Sequence, residues 1–554
     1  MEEHHPHGTG KLLAKLLRAE SKEIGIILIY GLGVGLLSLA VPVGVQALVN
    51  SVTFGALSQP LLFLILAVFA GLGIAAVFRS IQVLVVEKLQ TRFFTYIALE
   101  LAARLPRVRI DRKSGSRFPE LVNRFFDVLV VQKSAATLLL EGFALILQTL
   151  IGLLLLGFYH PVLLAFDLVL VLAMVGILFG LGRNAVRTCI DESVQKYRVA
   201  AWLEEVAAKS FSFRTAESRD FALRRTDELV VDYLQARRTH FSILFRQVVG
   251  SLGLQAVASA SLLGLGAVLV TRNQLTLGQL VAAEIVVTNV LNSLAKFQKH
   301  LEAFYDLAAG LDKIESLMEL PLEEEATAFH HNKSGPAALS LKGIKFRYAQ
   351  SDFSFTELSY EVRAGTRIAL QGANGSGKST LVDLLYGTKT PSSGAILIDG
   401  IDYREMGTEE LRRHVAVVRG IEIISGTVHQ NVCMGRSHIS SAEVRAVLNQ
   451  VGLIDEIQRL PAGMNTILGE NGTPLSIAHA QRVMIARAMV GKPRLLVIDE
   501  SLDALDKSGN RETLDALFEK AAPWTLILCT HDSDVARRCD ETLSLTGVET
   551  GRAA

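Results

Sequence analysis

The run Gly372-Ala373-Asn374-Gly375-Ser376-Gly377-Lys378-Ser379-Thr380 has the spacing G-x-x-x-x-G-K-[ST] of a phosphate-holding loop. Glycines there let successive backbone N–H groups curl around an anion at a helix N-terminus, where the helix dipole favours negative charge. Lys378 is placed to reach the β- and γ-phosphates of a nucleoside triphosphate, and Ser379 to ligate magnesium. The context fits: residues 367–371, with an apolar centre, read as a strand before the loop, and 379–385 as a helix after it. The expected ligand is therefore ATP with Mg2+. A chance glycine-rich turn would not carry both flanking elements.

A second run, Leu495-Leu496-Val497-Ile498-Asp499-Glu500, ends an apolar strand in two carboxylates. Asp499 is expected to hold the magnesium, directly or through water, and Glu500 to polarise the attacking water. Alone this pattern is weak. About 120 residues downstream of a phosphate loop, it reads as the second half of a nucleotide-hydrolysing site.

These groups need a scaffold, and the 554-residue chain is too long for one compact domain. Half of its residues are hydrophobic, and the apolar excess lies before about residue 300. Residues 24–78 contain no Asp, Glu, Lys or Arg, a stretch of 55 residues against about 20 needed to span a bilayer. Six apolar spans are expected, at about 24–49, 61–85, 142–158, 162–181, 248–270 and 277–294. They pair as three hairpins with short turns. The two long connections, about 86–141 and 182–247, are rich in Lys and Arg, whereas the short turns hold only Arg272. By the positive-inside rule the long connections are cytoplasmic. Their helical pattern predicts that they extend the membrane helices.

After about residue 320, Pro321, the acidic run 323–325 and Ser334-Gly335-Pro336 have linker composition. Beyond them, short apolar strands alternate with helices, as in an α/β domain. The expected organisation is a cytoplasmic tail and elbow segment (1–22), a membrane domain (23–320), a linker (321–336) and a nucleotide-binding domain (337–554). No long basic stripe with interleaved aromatics supports nucleic-acid binding. Cys189, Cys433, Cys529 and Cys539 form no C-x-x-C pair and read as reduced cytosolic thiols. His4, His5 and His7 read as part of a polar tail. The first apolar run is too long for the h-region of a cleavable signal peptide.

Together these motifs resemble the ABC transporter superfamily, specifically an exporter-type half-transporter, and the resemblance covers nearly the whole chain. Tyr348, 24 residues before Gly372, resembles the aromatic that stacks on adenine. Asp503-Ala504-Leu505-Asp506 resembles the D-loop, and Asp506 is its candidate nucleotide contact. His531 resembles the switch histidine that meets the γ-phosphate. Leu475-Ser476-Ile477-Ala478-His479-Ala480-Gln481-Arg482 stands where the family carries LSGGQ, with Ser476 as the candidate contact. Residues 116–127 and 215–227 resemble the cytoplasmic coupling regions.

The resemblance implies a multidomain protein: an all-α six-helix transmembrane domain followed by an α/β P-loop NTPase domain. It implies a lipid bilayer as surroundings and a second half-transporter as partner. It also implies alternating access powered by ATP binding and hydrolysis at a dimer interface. The chain would be a multi-pass protein of the plasma (inner) membrane, its nucleotide domain in the cytoplasm, exporting an unidentified substrate.

Two departures qualify this. Ile477, Ala478 and His479 replace the family's two glycines and glutamine. After the strand 415–418 the sequence reads Arg419-Gly420-Ile421-Glu422 in place of a Q-loop glutamine, and Glu422 is the nearest polar candidate to replace it. A homodimer with a divergent signature and a heterodimer with one degenerate site both remain open. So does a nucleotide-gated regulator with negligible hydrolysis. Nothing in the sequence decides export against import. The polar N-terminus without an early cysteine argues against a leader-peptidase domain, but secretion through a periplasmic adaptor stays open. Asp167 and Glu284 fall in the fourth and sixth spans. Each is either a substrate- or cation-contacting group, or a residue near a helix end, or a structural partner of Arg79 or Arg246.

Overall fold

The computed structural model describes residues 18–53, 58–109, 122–272, 274–323, 333–347, 354–499 and 507–545. It divides into two units, Met1–Pro321 and Leu322–Ala554.

The first unit is helical. Its main helices are α1 (Ser21–Leu37), α2 (Ala40–Thr53), α3 (Ser58–Arg104), α4 (Asp127–Thr137), α5 (Phe143–Tyr159), α6 (Pro161–Val175), α7 (Ala185–Ala208), α8 (Ala216–Thr271) and α9 (Leu277–Met318). The six expected spans fall on α1–α2, α3, α5, α6, α8 and α9. Among the described residues, four helices are long and apolar enough to cross a membrane: Ser21–Ser51, Leu62–Arg107, Pro161–Leu181 and Ala216–Thr271. The shorter apolar stretches Thr149–Phe158 and Gly278–Thr288 lie on α5 and α9.

The first expected span is not one unbroken helix. It turns at Ser38 and Leu39, between α1 and α2. Pro42 lacks the N–H that would bond the Ser38 carbonyl, and its ring crowds that carbonyl. Ser38 instead donates its hydroxyl to the Gly35 carbonyl at 2.6 Å. Pro42 then sits in the first turn of α2, where no intrahelical N–H is needed.

Local chemistry sets the other helix starts. His160 accepts from the Val162 N–H at 3.2 Å, and Pro161 occupies the first helical position of α6. Thr215 caps α8 by accepting from the Ser218 N–H at 3.2 Å. Thr276 and Gln279 form a capping box on α9.

The helices α3, α8 and α9 run well past their apolar stretches, as the long polar connections predict. Ile97, Leu101, Val128, Val131, Leu311, Ile314 and Leu317 form a buried cluster that joins the extensions of α3 and α9 to α4. The turn between α7 and α8 is held by Trp202, whose indole N–H donates to Thr226 at 3.0 Å. The rings of Phe213 and Phe221 meet that indole edge-on. Residues 215–227, one coupling-like segment, thus form the start of α8. The other, 116–127, lies outside the described residues up to 121. Asp167 is on α6, its side chain outside those described. Glu284 is on α9, and its Oε2 is buried without a hydrogen-bond partner among the described residues. The expected pairing of that oxygen with Arg79 or Arg246 is not made.

The second unit is α/β. Its strands are β1 (Leu339–Arg347), β2 (Ser354–Val362), β3 (Arg367–Gln371), β4 (Ser393–Ile398), β5 (Ile401–Asp402), β6 (Val415–Arg419), β7 (Gly426–Thr427), β8 (Ile467–Leu468), β9 (Leu495–Asp499), β10 (Thr525–Cys529) and β11 (Glu541–Ser544). A five-stranded sheet runs in the order β11-β3-β10-β9-β6, and all its pairs are parallel. A four-stranded antiparallel sheet, β2-β1-β4-β5, accompanies it. Every residue of β9 and of β10 is buried, as expected for central parallel strands covered on both faces. The family expectation of a helical domain followed by an α/β P-loop domain therefore describes the architecture.

Candidate nucleotide-binding site

Parallel strands carry their chemistry at their C-terminal ends, where loops lead into helices. Three neighbouring strands bring the expected residues to one edge. The strand β3 leads through the loop 372–377 into the helix α10 (Lys378–Leu385). The strand β9 ends at Asp499, which pairs in register with Cys529 at the end of β10. His531 follows β10 by two residues and is exposed. On the far side of β9, β6 ends at Arg419, directly opposite Asp499.

The loop has the backbone its glycines allow. Gly375 and Gly377 have φ of 83° and 97°, which an L-residue adopts only with strain. A Cβ on Gly372 would meet the Ser376 hydroxyl and stand 2.9 Å from the Leu545 carbonyl oxygen. Ala373 and Asn374 form the exposed crest of the loop. Ser376 is buried, and its Oγ has no hydrogen-bond partner among the described residues. Lys378 is only 5% exposed. Its ammonium donates to the Gly372 carbonyl at 2.9 Å and, more weakly, to the Ala373 carbonyl at 3.4 Å. Ser379 is exposed and Thr380 buried in the first turn of α10. The result is a concave run of backbone at a helix N-terminus with a lysine at its rim, which suits a polyphosphate.

Arg419 makes the densest polar contacts of the site. Its Nε donates to Asp499 Oδ2 at 2.7 Å, one terminal nitrogen donates to Asp383 Oδ1 at 2.7 Å, and the other to the Ser379 carbonyl at 3.0 Å. Asp383 also pairs with Lys389. Burial would pull the Arg419 pKa down, but its bonds to Asp383 and the charge of Asp499 hold it above the ordinary arginine value. This corrects the expectation for the Q-loop position. Arg419, not Glu422, reaches the Asp499 carboxylate. Glu422 instead receives the Arg487 guanidinium on its backbone carbonyl at 2.8 Å. The signal for Arg419 lay in its place directly after the apolar run 415–418, where strand register aligns it with Asp499.

The donor set bears on the metal. Ser379 and Asp499 are the expected magnesium ligands, and magnesium requires oxygen ligands at about 2.0–2.1 Å in octahedral array. The guanidinium bonds Asp499 Oδ2 and the Ser379 backbone carbonyl, not the Ser379 hydroxyl. A divalent cation held by Asp499 and Ser379 would therefore have to sit beside a fixed positive charge.

The signature run forms the start of another helix, α11 (Ile477–Val490). Ser476 caps it, accepting from the His479 N–H at 3.2 Å. Ile477 is 65% exposed, and Ala478 adds a second Cβ to the same turn. Further along α11, Arg482 is buried and donates to the Gly452 carbonyl at 3.0 Å. Tyr348, Glu500 and Asp503 to Asp506 lie outside the described residues.

Residues 355–503 match the ABC transporter family. The chain is similar in fold to the structure of a bacterial Atm1-family ABC exporter with ATP bound, with a TM-score of 0.83, covering 96% of this chain and 94% of that one at 22% identity. Residues 355–503 are therefore an ABC transporter domain. Its fold is that of an exporter-type half-transporter. Among curated relatives, the chain is 30% identical over 307 residues to the mycobactin import ATP-binding/permease protein of Mycolicibacterium thermoresistibile, covering 55% of this chain and 52% of that protein. It is 32% identical over 296 residues to the colicin V secretion/processing ATP-binding protein of Escherichia coli, covering 51% and 41%. The chain thus spans about half the length of the curated relatives it matches.

Proposed function

We propose that this chain is one half of an ATP-driven transporter of the exporter type. Two halves would enclose nucleotide between the phosphate loop 372–380 of one and the Ser476 turn of the other. Nucleotide-driven closure would switch the membrane domains between inward- and outward-facing states. The observation that carries this reading is a preformed phosphate cradle, Gly375 and Gly377 at positive φ ahead of α10, on the same chain as helices long enough to span a bilayer. Lys378 and His531 would meet the phosphates, Tyr348 the adenine, and Asp506 the nucleotide across the dimer. Glu500 would orient the attacking water. The membrane would be the plasma (inner) membrane, with the nucleotide unit in the cytoplasm.

The relatives' names span mycobactin import, colicin V secretion, glucan export and lipid A-core flipping. The substrate class and direction therefore do not transfer from them. A periplasmic adaptor is compatible with the secretion relatives. A second reading, a catalytically weak nucleotide-gated half of a heterodimer, is favoured by Ile477 and Ala478 at the signature turn.

Vanadate-sensitive ATP hydrolysis by the full chain in lipid vesicles tests the reading. Glu500→Gln is expected to lower turnover roughly 100- to 10,000-fold, the usual range for losing a general base, with nucleotide binding intact. Unchanged turnover in that variant would remove Glu500 from the mechanism.

A further inference from the structure

Arg419 stands where the superfamily resemblance places a neutral glutamine, and its surroundings show what the added charge does. The guanidinium joins three elements: the end of β6, the end of β9 through Asp499, and α10 through Asp383 and the Ser379 carbonyl. Asp499 is 4% exposed at its side chain and Asp383 18%, so both carboxylates are partly or fully withdrawn from water. A guanidinium is always charged, and its planar fork suits several oxygen acceptors at once. Charge-assisted bonds of 2.7 Å, as here, are short and strong.

The charge balance is informative. The cluster beside the loop contains Asp383 and Asp499 against Arg419, Lys389 and Lys378. Among the described residues, arginine at 419 adds one positive charge that a glutamine there would not supply. With arginine, one fixed positive charge is already supplied by the chain.

The geometry points to Arg419 as a built-in cation beside the phosphates, so that this loop binds nucleoside triphosphate whether or not a divalent cation is present. A metal at Asp499 must share that carboxylate with the guanidinium, which bonds its Oδ2. The inference rests on the phosphate-loop reading above but goes beyond it, because it concerns which cation accompanies the nucleotide.

The test is equilibrium binding of radiolabelled ATP to the full chain in nanodiscs, with magnesium and with EDTA. Paramagnetic resonance of Mn2+ is followed in parallel. Wild type is expected to lose less than about threefold in affinity when the metal is removed. Arg419→Gln should lose roughly tenfold or more in EDTA, about 1.4 kcal/mol, and recover with magnesium. It should also bind Mn2+ roughly tenfold more tightly than wild type. Arg419→Lys, which keeps the charge, should retain metal-independent binding. A wild-type affinity that collapses in EDTA, or wild-type Mn2+ binding as tight as that of Arg419→Gln, overturns the inference while sparing the phosphate loop. Failure of wild type to bind ATP in either condition overturns the phosphate-loop reading itself. The wild-type arms need no variant to fold.

Discussion

The Lys378 ammonium lies 2.9 Å from the Gly372 carbonyl oxygen, turned back onto the loop that precedes it. This pairing holds the loop closed around its own lysine. A polyphosphate would take the ammonium away from two carbonyls and provide charged oxygens in exchange. Lys378→Ala is expected to weaken ATP binding by roughly 10- to 100-fold, the equivalent of a charged hydrogen bond. Equilibrium binding with radiolabelled ATP measures it. An affinity within about twofold of wild type would mean that the lysine stays folded on the loop.

The signature turn predicts a gain rather than a loss. Ile477 and Ala478 open α11 behind the Ser476 cap, where glycines would allow closer backbone approach across a dimer. Ile477→Gly with Ala478→Gly should raise ATP turnover in vesicles. The same change should lower the unfolding midpoint, because glycine costs up to about 1 kcal/mol per helical position. Lower stability with unchanged turnover would show that the turn does not limit the reaction.

Arg494 tests what holds the nucleotide unit together. Its side chain is 7% exposed. It donates to Asp399 Oδ2 at 2.5 Å and to the Gly335 carbonyl at 2.8 Å. Asp399 in turn accepts the Ala338 N–H at 3.0 Å. Removing one partner of a buried pair costs about 3–5 kcal/mol. Arg494→Met should therefore lower the thermal midpoint of this unit by several degrees, read by calorimetry of the full chain. No change would mean that the pair is solvated in solution.

Lys313 gives the helical unit a pH dependence. It lies on the extension of α9, 3.8 Å from Asp127 Oδ2, with its ammonium 3.8 Å from the centre of the Tyr197 ring. It also donates to Ser193. Burial pushes its pKa down from 10.5 to about 7, although Asp127 opposes the shift. Between those values the unfolded chain binds the proton that the folded chain has released, so stability rises with pH across that window. The unfolding midpoint of wild type in detergent should climb from pH 7 to pH 9 more steeply than that of Lys313→Met. Equal slopes would remove Lys313 as the cause.

The parts of this protein that were legible in advance are those whose meaning is local. The phosphate loop is nine consecutive residues, 372–380, and its glycines carry their backbone preference wherever the chain goes. The apolar spans are equally local, because a bilayer tests each stretch of about 20 residues separately. The break between α1 and α2 was not foreseen, although its cause is local: Pro42 removes a hydrogen bond four residues back.

Arg419 was not legible in this way. Read along the chain it is one more charged residue after a short strand, and Glu422 reads as the nearest polar candidate to replace a glutamine. Its role follows from the parallel register of β6 with β9, which sets it opposite a carboxylate 80 residues later. The sequence alone determined that a phosphate cradle and membrane helices share one polypeptide, since those properties belong to short contiguous segments. Only the tertiary structure decided which cation stands beside that cradle, because strand pairing between distant residues chooses the charges that meet there.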